Sequence, residues 1–169
     1  MAAGNTYVAL ATQTISSSTG TVSFTSIPST YTDLVLVVGD LLQVAGGNGL
    51  RMRFNNDTGT NYSTTQLMGN GTTATSTRET SASSTYAGGA TYSTTNPGNA
   101  IAHIMNYANT TTYKTVINRG NQASADVLTQ VGLWRSTSAI NRLDVALGGA
   151  FPSNNIASGT FTLYGILAA

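Results

Sequence analysis

The chain has 169 residues, seven basic and six acidic side chains, one histidine, no cysteine and a formal net charge of +1. That length predicts one domain, able to bury roughly 70% of the surface of its unfolded chain without covalent staples. The missing cysteines exclude a disulfide framework, thiolate metal sites and a cysteine nucleophile, and the near-neutral charge excludes nucleic-acid binding or a polybasic membrane patch as the main role.

The amino terminus, MAAGNTYVALATQTI, has no positive charge ahead of its modest apolar segment, so no Sec export is expected. Residues 1–6 read as a short uncharged arm and 7–169 as one β domain. Tyr7 to Ile15 reads as a first strand and Ser16 to Gly20 as a small-residue turn. Thr21 to Ile27 follows as a second strand, with Val22 and Phe24 on one face and Thr21, Ser23 and Thr25 on the other. Phe24 is a predicted core residue. Pro28 to Asp33 supplies turn-forming residues ahead of Leu34-Val35-Leu36-Val37-Val38, a run that puts apolar groups on both faces of a strand. This is the expected central strand, covered on both sides.

After the flexible Ala45-Gly46-Gly47-Asn48-Gly49 turn, Leu50 to Phe54 returns as a strand with Leu50, Met52 and Phe54 on one face and Arg51 and Arg53 on the other. Asn55 to Asn61 is dense in residues that favour left-handed or Asx-turn geometry and ends it. Tyr62 to Gly69 reads as a further strand. From Asn70 to Asn99 the composition turns to Thr, Ser, Ala and Gly, which predicts a polar surface excursion or a pair of polar edge strands, suited to partner contacts. Residues 100–107, 113–121, 125–135, 141–147 and 159–167 read as five more strands, with one short helical turn expected over Ser136 to Ile140. No apolar pattern of period 3.6 persists, and no apolar stretch approaches the ~20 residues of a membrane span. The expectation is an all-β, two-sheet antiparallel sandwich of about nine strands, jelly-roll-like, with a long polar insertion.

Few residues point to chemistry. His103 shares a strand face with Ile101 and Met105 and reads as structural. The six acids, Asp33, Asp40, Asp57, Glu79, Asp126 and Asp144, never occur as a close pair, which disfavours a glycosidase. Asp57 with Asn55, Asn56 and Asn61 presents oxygens of the kind calcium takes, but one carboxylate favours a turn held by Asx bonds. Arg51 and Arg53 serve either as interface anchors for a carboxylate or as a solvated edge that guards against stray pairing. Trp134, beside Val131 and Leu133, reads as a core or interface anchor. The Asn70-Gly71-Thr72 sequon is of a kind expected by chance in such a composition. No cofactor or metal is expected.

Several stretches, in this order, resemble a family of small virion structural proteins of tailed bacteriophages, frequent among phages of cyanobacteria. They are Ile27-Pro28-Ser29-Thr30-Tyr31-Thr32-Asp33-Leu34-Val35-Leu36, Arg53-Phe54-Asn55-Asn56-Asp57-Thr58-Gly59-Thr60-Asn61-Tyr62-Ser63, Leu67-Met68-Gly69-Asn70-Gly71, Gly132-Leu133-Trp134 and Phe161-Thr162-Leu163-Tyr164-Gly165-Ile166. The resemblance implies a jelly-roll-like homotrimer made in the host cytoplasm and carried on the virion, with the major capsid protein as partner and no catalytic residues. The chain shows no helical or coiled attachment segment beside its β domain, which favours a capsid cement or decoration protein on the outer shell over a tail appendage. The alternative is a receptor-binding module of the tail, with Tyr86 and Tyr92 exposed against host surface glycans; a glycan-cleaving enzyme is a weaker third.

Overall fold

Runs of β-branched and aromatic residues broken by Gly, Asn and Pro leave little choice but strands. The computed structural model describes residues 6–89, 91–122, 124–148 and 151–167. Among them are twelve strands and no helix: β1 (Tyr7–Ile15), β2 (Thr21–Phe24), β3 (Asp33–Gln43), β4 (Leu50–Phe54), β5 (Tyr62–Gly69), β6 (Ala74–Ala82), β7 (Thr85–Gly88), β8 (Gly98–Met105), β9 (Lys114–Gln122), β10 (Asp126–Trp134), β11 (Leu143–Leu147) and β12 (Ile156–Ile166). The arm expected at residues 1–6 lies, apart from Thr6, outside the described residues.

An eight-stranded sheet in the order β1-β12-β3-β8-β9-β10-β5-β6 faces a four-stranded sheet in the order β2-β11-β4-β7. Every pairing is antiparallel. The wiring follows a simple rule once the β5–β6 and β9–β10 hairpins are set aside. β1 pairs with β12, β2 with β11, β3 with β8 and β4 with β7, as in one long double strand rolled into two layers. That is the jelly-roll connection. The two hairpins then add four strands to one side of the large sheet, so this sheet extends well past its partner.

The core fills the space between the layers. Leu34, Leu36, Val38 and Leu41 of β3, Phe161 and Leu163 of β12 and Ile104 of β8 face Val22, Phe24, Leu50, Met52, Phe54, Leu143 and Val145 of the small sheet, all buried. Each such side chain contributes on the order of 2 kcal/mol by leaving water. Phe24 is core, as its alternation requires.

Three expectations are narrowed or corrected. Of the two readings of the Asn70–Asn99 stretch, the structure shows the pair of edge strands and not the open excursion, with the polar character kept by only one of them. β6 is the exposed polar edge of the large sheet, whereas β7 closes the small sheet with Thr85, Ala87 and Gly88 buried. Small side chains allow this burial: a Cβ placed on Gly120 of β9 would stand 2.6 Å from the backbone nitrogen of Gly89, so the β7 end and β9 meet backbone to backbone. Residues 136–140 form no helical turn. Ser136 Oγ instead accepts a bond from the Ser138 N–H, a local side-chain turn that competes with helix. Finally, β3 is covered fully on its inner side and only in part on its outer side. Val35 is 2% exposed but Val37, on the same outer face, is 37% exposed.

Candidate interaction surface

Because side chains alternate along a strand, the residues between the core positions of the large sheet all stand on its outer face. The registers align them in rows. Tyr164, Val35, His103, Ile117, Val131 and Thr65 lie opposite one another across six strands. Thr162, Val37, Ile101, Arg119, Thr129 and Leu67 form the next row. Asn121, Val127 and Gly69 continue a third.

Nine large apolar side chains are exposed among the described residues, and six of them, Tyr7, Val37, Leu67, Ile117, Val127 and Val131, stand on this face. Ile117, Val127 and Val131 are 46%, 60% and 52% exposed. Isolated apolar residues on a surface are ordinary, but a contiguous patch marks a binding surface. The patch is furrowed. A groove of about 570 Å³ runs between Val37, Ile101, Asn99, Arg119 and Val127. One of about 620 Å³ lies beyond Val127, against Leu67 and Thr129. A third of about 300 Å³ lies by Tyr7, Val35, His103 and Ile117.

Most ionisable side chains of the described residues are spoken for. Arg51 pairs with Glu79 at 2.9 Å, and Arg142 with Asp144 and His103 with Asp33 at 2.8 Å. Arg53, Lys114 and Arg135 donate to backbone carbonyls. Arg78, Arg119 and Asp40 are exposed and have no side-chain partner among the described residues. Arg78 and Arg119 lie in the outer-face rows; Asp40 projects at the β3 bulge between the inward-facing Val38 and Leu41, where its N–H donates to Asn99 Oδ1.

The residues singled out from sequence lie elsewhere. Arg51 and Arg53 do share a face, the outer side of the small sheet, but neither is a solvated edge. Arg51 is 6% exposed, holds Glu79 with one guanidinium nitrogen on both carboxylate oxygens, and lies 4.0 Å from the Tyr86 ring centre. Arg53 donates to Ser83 O and lies 4.3 Å from the Phe151 ring centre. Both arginines clamp the β6–β7 segment or residue 151 onto β4. They anchor this chain to itself, because β6 and β7 fold back across them.

Tyr86 is accordingly half-buried beneath Arg51, and Tyr92 is 1% exposed. Its ring occupies a slot opened by two glycines, since a Cβ on Gly89 or Gly98 would stand 2.2 or 2.6 Å from it. Tyr92 is therefore no exposed recognition residue. Trp134 is 2% exposed, stacks on Tyr62 at 6.2 Å and donates through Nε1 to Asp57 Oδ2 at 2.7 Å. It is a core anchor. Asp57 also accepts from the Gly59 N–H and from Asn61 Nδ2. Burial alone raises its pKa, and these three donors together with the Arg53 charge more than reverse that, leaving it below the ordinary value. With its oxygens engaged by N–H groups, this loop is the Asx-bonded turn, and among the described residues no cluster of three acidic or histidine side chains is positioned for a metal.

Arg119, Ile117, Val127, Val131 and Leu67 were not singled out from sequence. A signal was present: Val127-Leu128 and Val131 put apolar groups on both parities of one strand, the same sign that marked Leu34–Val38. No known protein family, curated protein or solved structure matches the chain.

Proposed function

We propose that this chain is a non-enzymatic structural protein of a tailed-phage virion, a homotrimer that decorates the outer capsid surface and stabilises the shell. The observation that carries the reading is the large apolar face described above, a surface built for another protein surface rather than for a small substrate. The ordered resemblance across the chain supplies the setting. The mechanism is mass action: a protein that binds only the assembled lattice stabilises it by RT ln(1 + [L]/Kd), and several linked copies add avidity.

The test is the copy number of this protein in purified virions, measured by quantitative mass spectrometry against the major capsid protein. A ratio near the number of lattice junctions is expected. A handful of copies per particle would overturn shell decoration and move the protein to the tail, where host-surface glycans become the partner.

A further inference from the structure

We propose that the outer face of the large sheet is where copies of this chain meet one another. The inference rests on the homo-oligomeric part of the role proposed above and specifies its contact. Its failure and the failure of that role are separable.

The area is sufficient. Eight strands spaced about 4.8 Å apart and about nine residues long present a face of roughly 1,000 Å². A standard specific interface takes about 800 Å² from each partner. The pattern also asks for a cover. β3 carries Val35 and Val37 on this side and Leu34, Leu36 and Val38 on the other, the composition of a strand buried on both faces, yet on the outer side the chain itself buries Val35 and leaves Val37 open.

The charges choose the occupant. Arg119 stands within the patch and Asp40 at its border; β8 separates their strands, and no ion pair joins them in one chain. A second copy brings both signs to the contact, a carboxylate for Arg119 and a guanidinium for Asp40, together with the same exposed Val37, Ile117, Val127, Val131 and Leu67. A polyanion would meet Asp40 as a repulsion and leave the valines unused. An uncharged glycan would satisfy neither charge.

Sedimentation equilibrium of the full chain over a range of concentrations tests this. The wild type is expected to self-associate. Ile117→Glu and Val127→Glu, on outward positions of two strands, are expected to be monomeric while keeping the wild-type circular dichroism and thermal transition; should one fail to fold, the other carries the test. Arg119→Gln and Asp40→Asn, the latter chosen because asparagine tolerates the positive φ of 54° there, should each weaken association by about tenfold. The double variant should be no weaker than the worse single one, because both remove the same contact. A monomeric wild type overturns the inference, as does an oligomer untouched by both glutamate variants or fully additive losses at Arg119 and Asp40. A dimer formed through this face sustains the inference and removes the trimer from the proposed role. An oligomer formed through it by a protein that is missing from virions removes the role and leaves the contact standing.

Discussion

Asp57 shows how one side chain ties a loop to a core. Its carboxylate closes the turn after β4 through Gly59 and Asn61 and reaches Trp134, which stacks against Tyr62 and packs 5.4 Å from Phe54. Asp57→Asn preserves shape but keeps only one acceptor oxygen, so either the Trp134 and Asn61 donors or the Gly59 N–H must face an amide nitrogen. An unpaired buried donor costs about 1–3 kcal/mol, so chemical denaturation at neutral pH should show a loss of that size. The acid dependence has a definite sign. The folded-state pKa of Asp57 is depressed, so its contribution is complete above the ordinary carboxylate value near ~3.9 and is lost as pH falls through the folded value. Wild type and variant should therefore converge in stability on acidification; a constant gap down to acid unfolding would contradict this account. The turn itself was legible in the Asn-Asn-Asp-x-Gly pattern. Its bond to Trp134, 77 residues away, was not, because nothing local marks which donor a carboxylate will find.

At the scale of elements, the β7–β9 contact sets how closely the two layers approach. Gly120 has ordinary backbone geometry, so its requirement is purely steric: an added methyl would meet the Gly89 nitrogen at 2.6 Å and the Asn99 carbonyl at 3.1 Å. Backbone on both sides cannot yield as a flexible side chain would. Gly120→Ala should cost about 1–3 kcal/mol by overpacking, whereas Gly46→Ala, with nothing within 4 Å of the new methyl, should stay within about 0.5 kcal/mol of wild type. Thermal melts of the two variants side by side measure the difference. The same contact explains why the second half of the Asn70–Asn99 stretch is not the polar edge expected of it: its small residues look like surface, yet smallness is what admits Ala87, Gly88 and the Tyr92 ring into the interior.

For the molecule as a whole, three of the eight tyrosines lie in the interior and make the fold sensitive to alkaline pH. Burial raises the pKa of Tyr62, Tyr92 and Tyr107 above the ordinary value near ~10. A raised folded-state pKa means stability that is complete below the unfolded value and declines as pH rises beyond it. Lys114, fully buried with its ammonium on the Thr112 and Thr137 carbonyls, has its pKa lowered by burial and acts in the opposite sense. Three groups against one predict net destabilisation above about pH 10. In a spectrophotometric titration the exposed tyrosines should ionise reversibly, and the last three only with loss of the β circular dichroism signal. Smooth ionisation of all eight with the fold intact would refute this.

From sequence alone follow the strand-only class, the two-layer sandwich, the Phe24 side of β2 and the Asx turn at Asp57. Each rests on alternation, composition or turn chemistry within about ten residues, where local physics dominates. The tertiary structure decided what depends on pairings distant in the chain. It placed Glu79 over Arg51, closed Tyr92 into a glycine slot, and set the rows of β3, β8, β9 and β10 side by side. Alternation shows that a strand has two apolar faces, but only the strand order shows which of them the chain leaves without a cover.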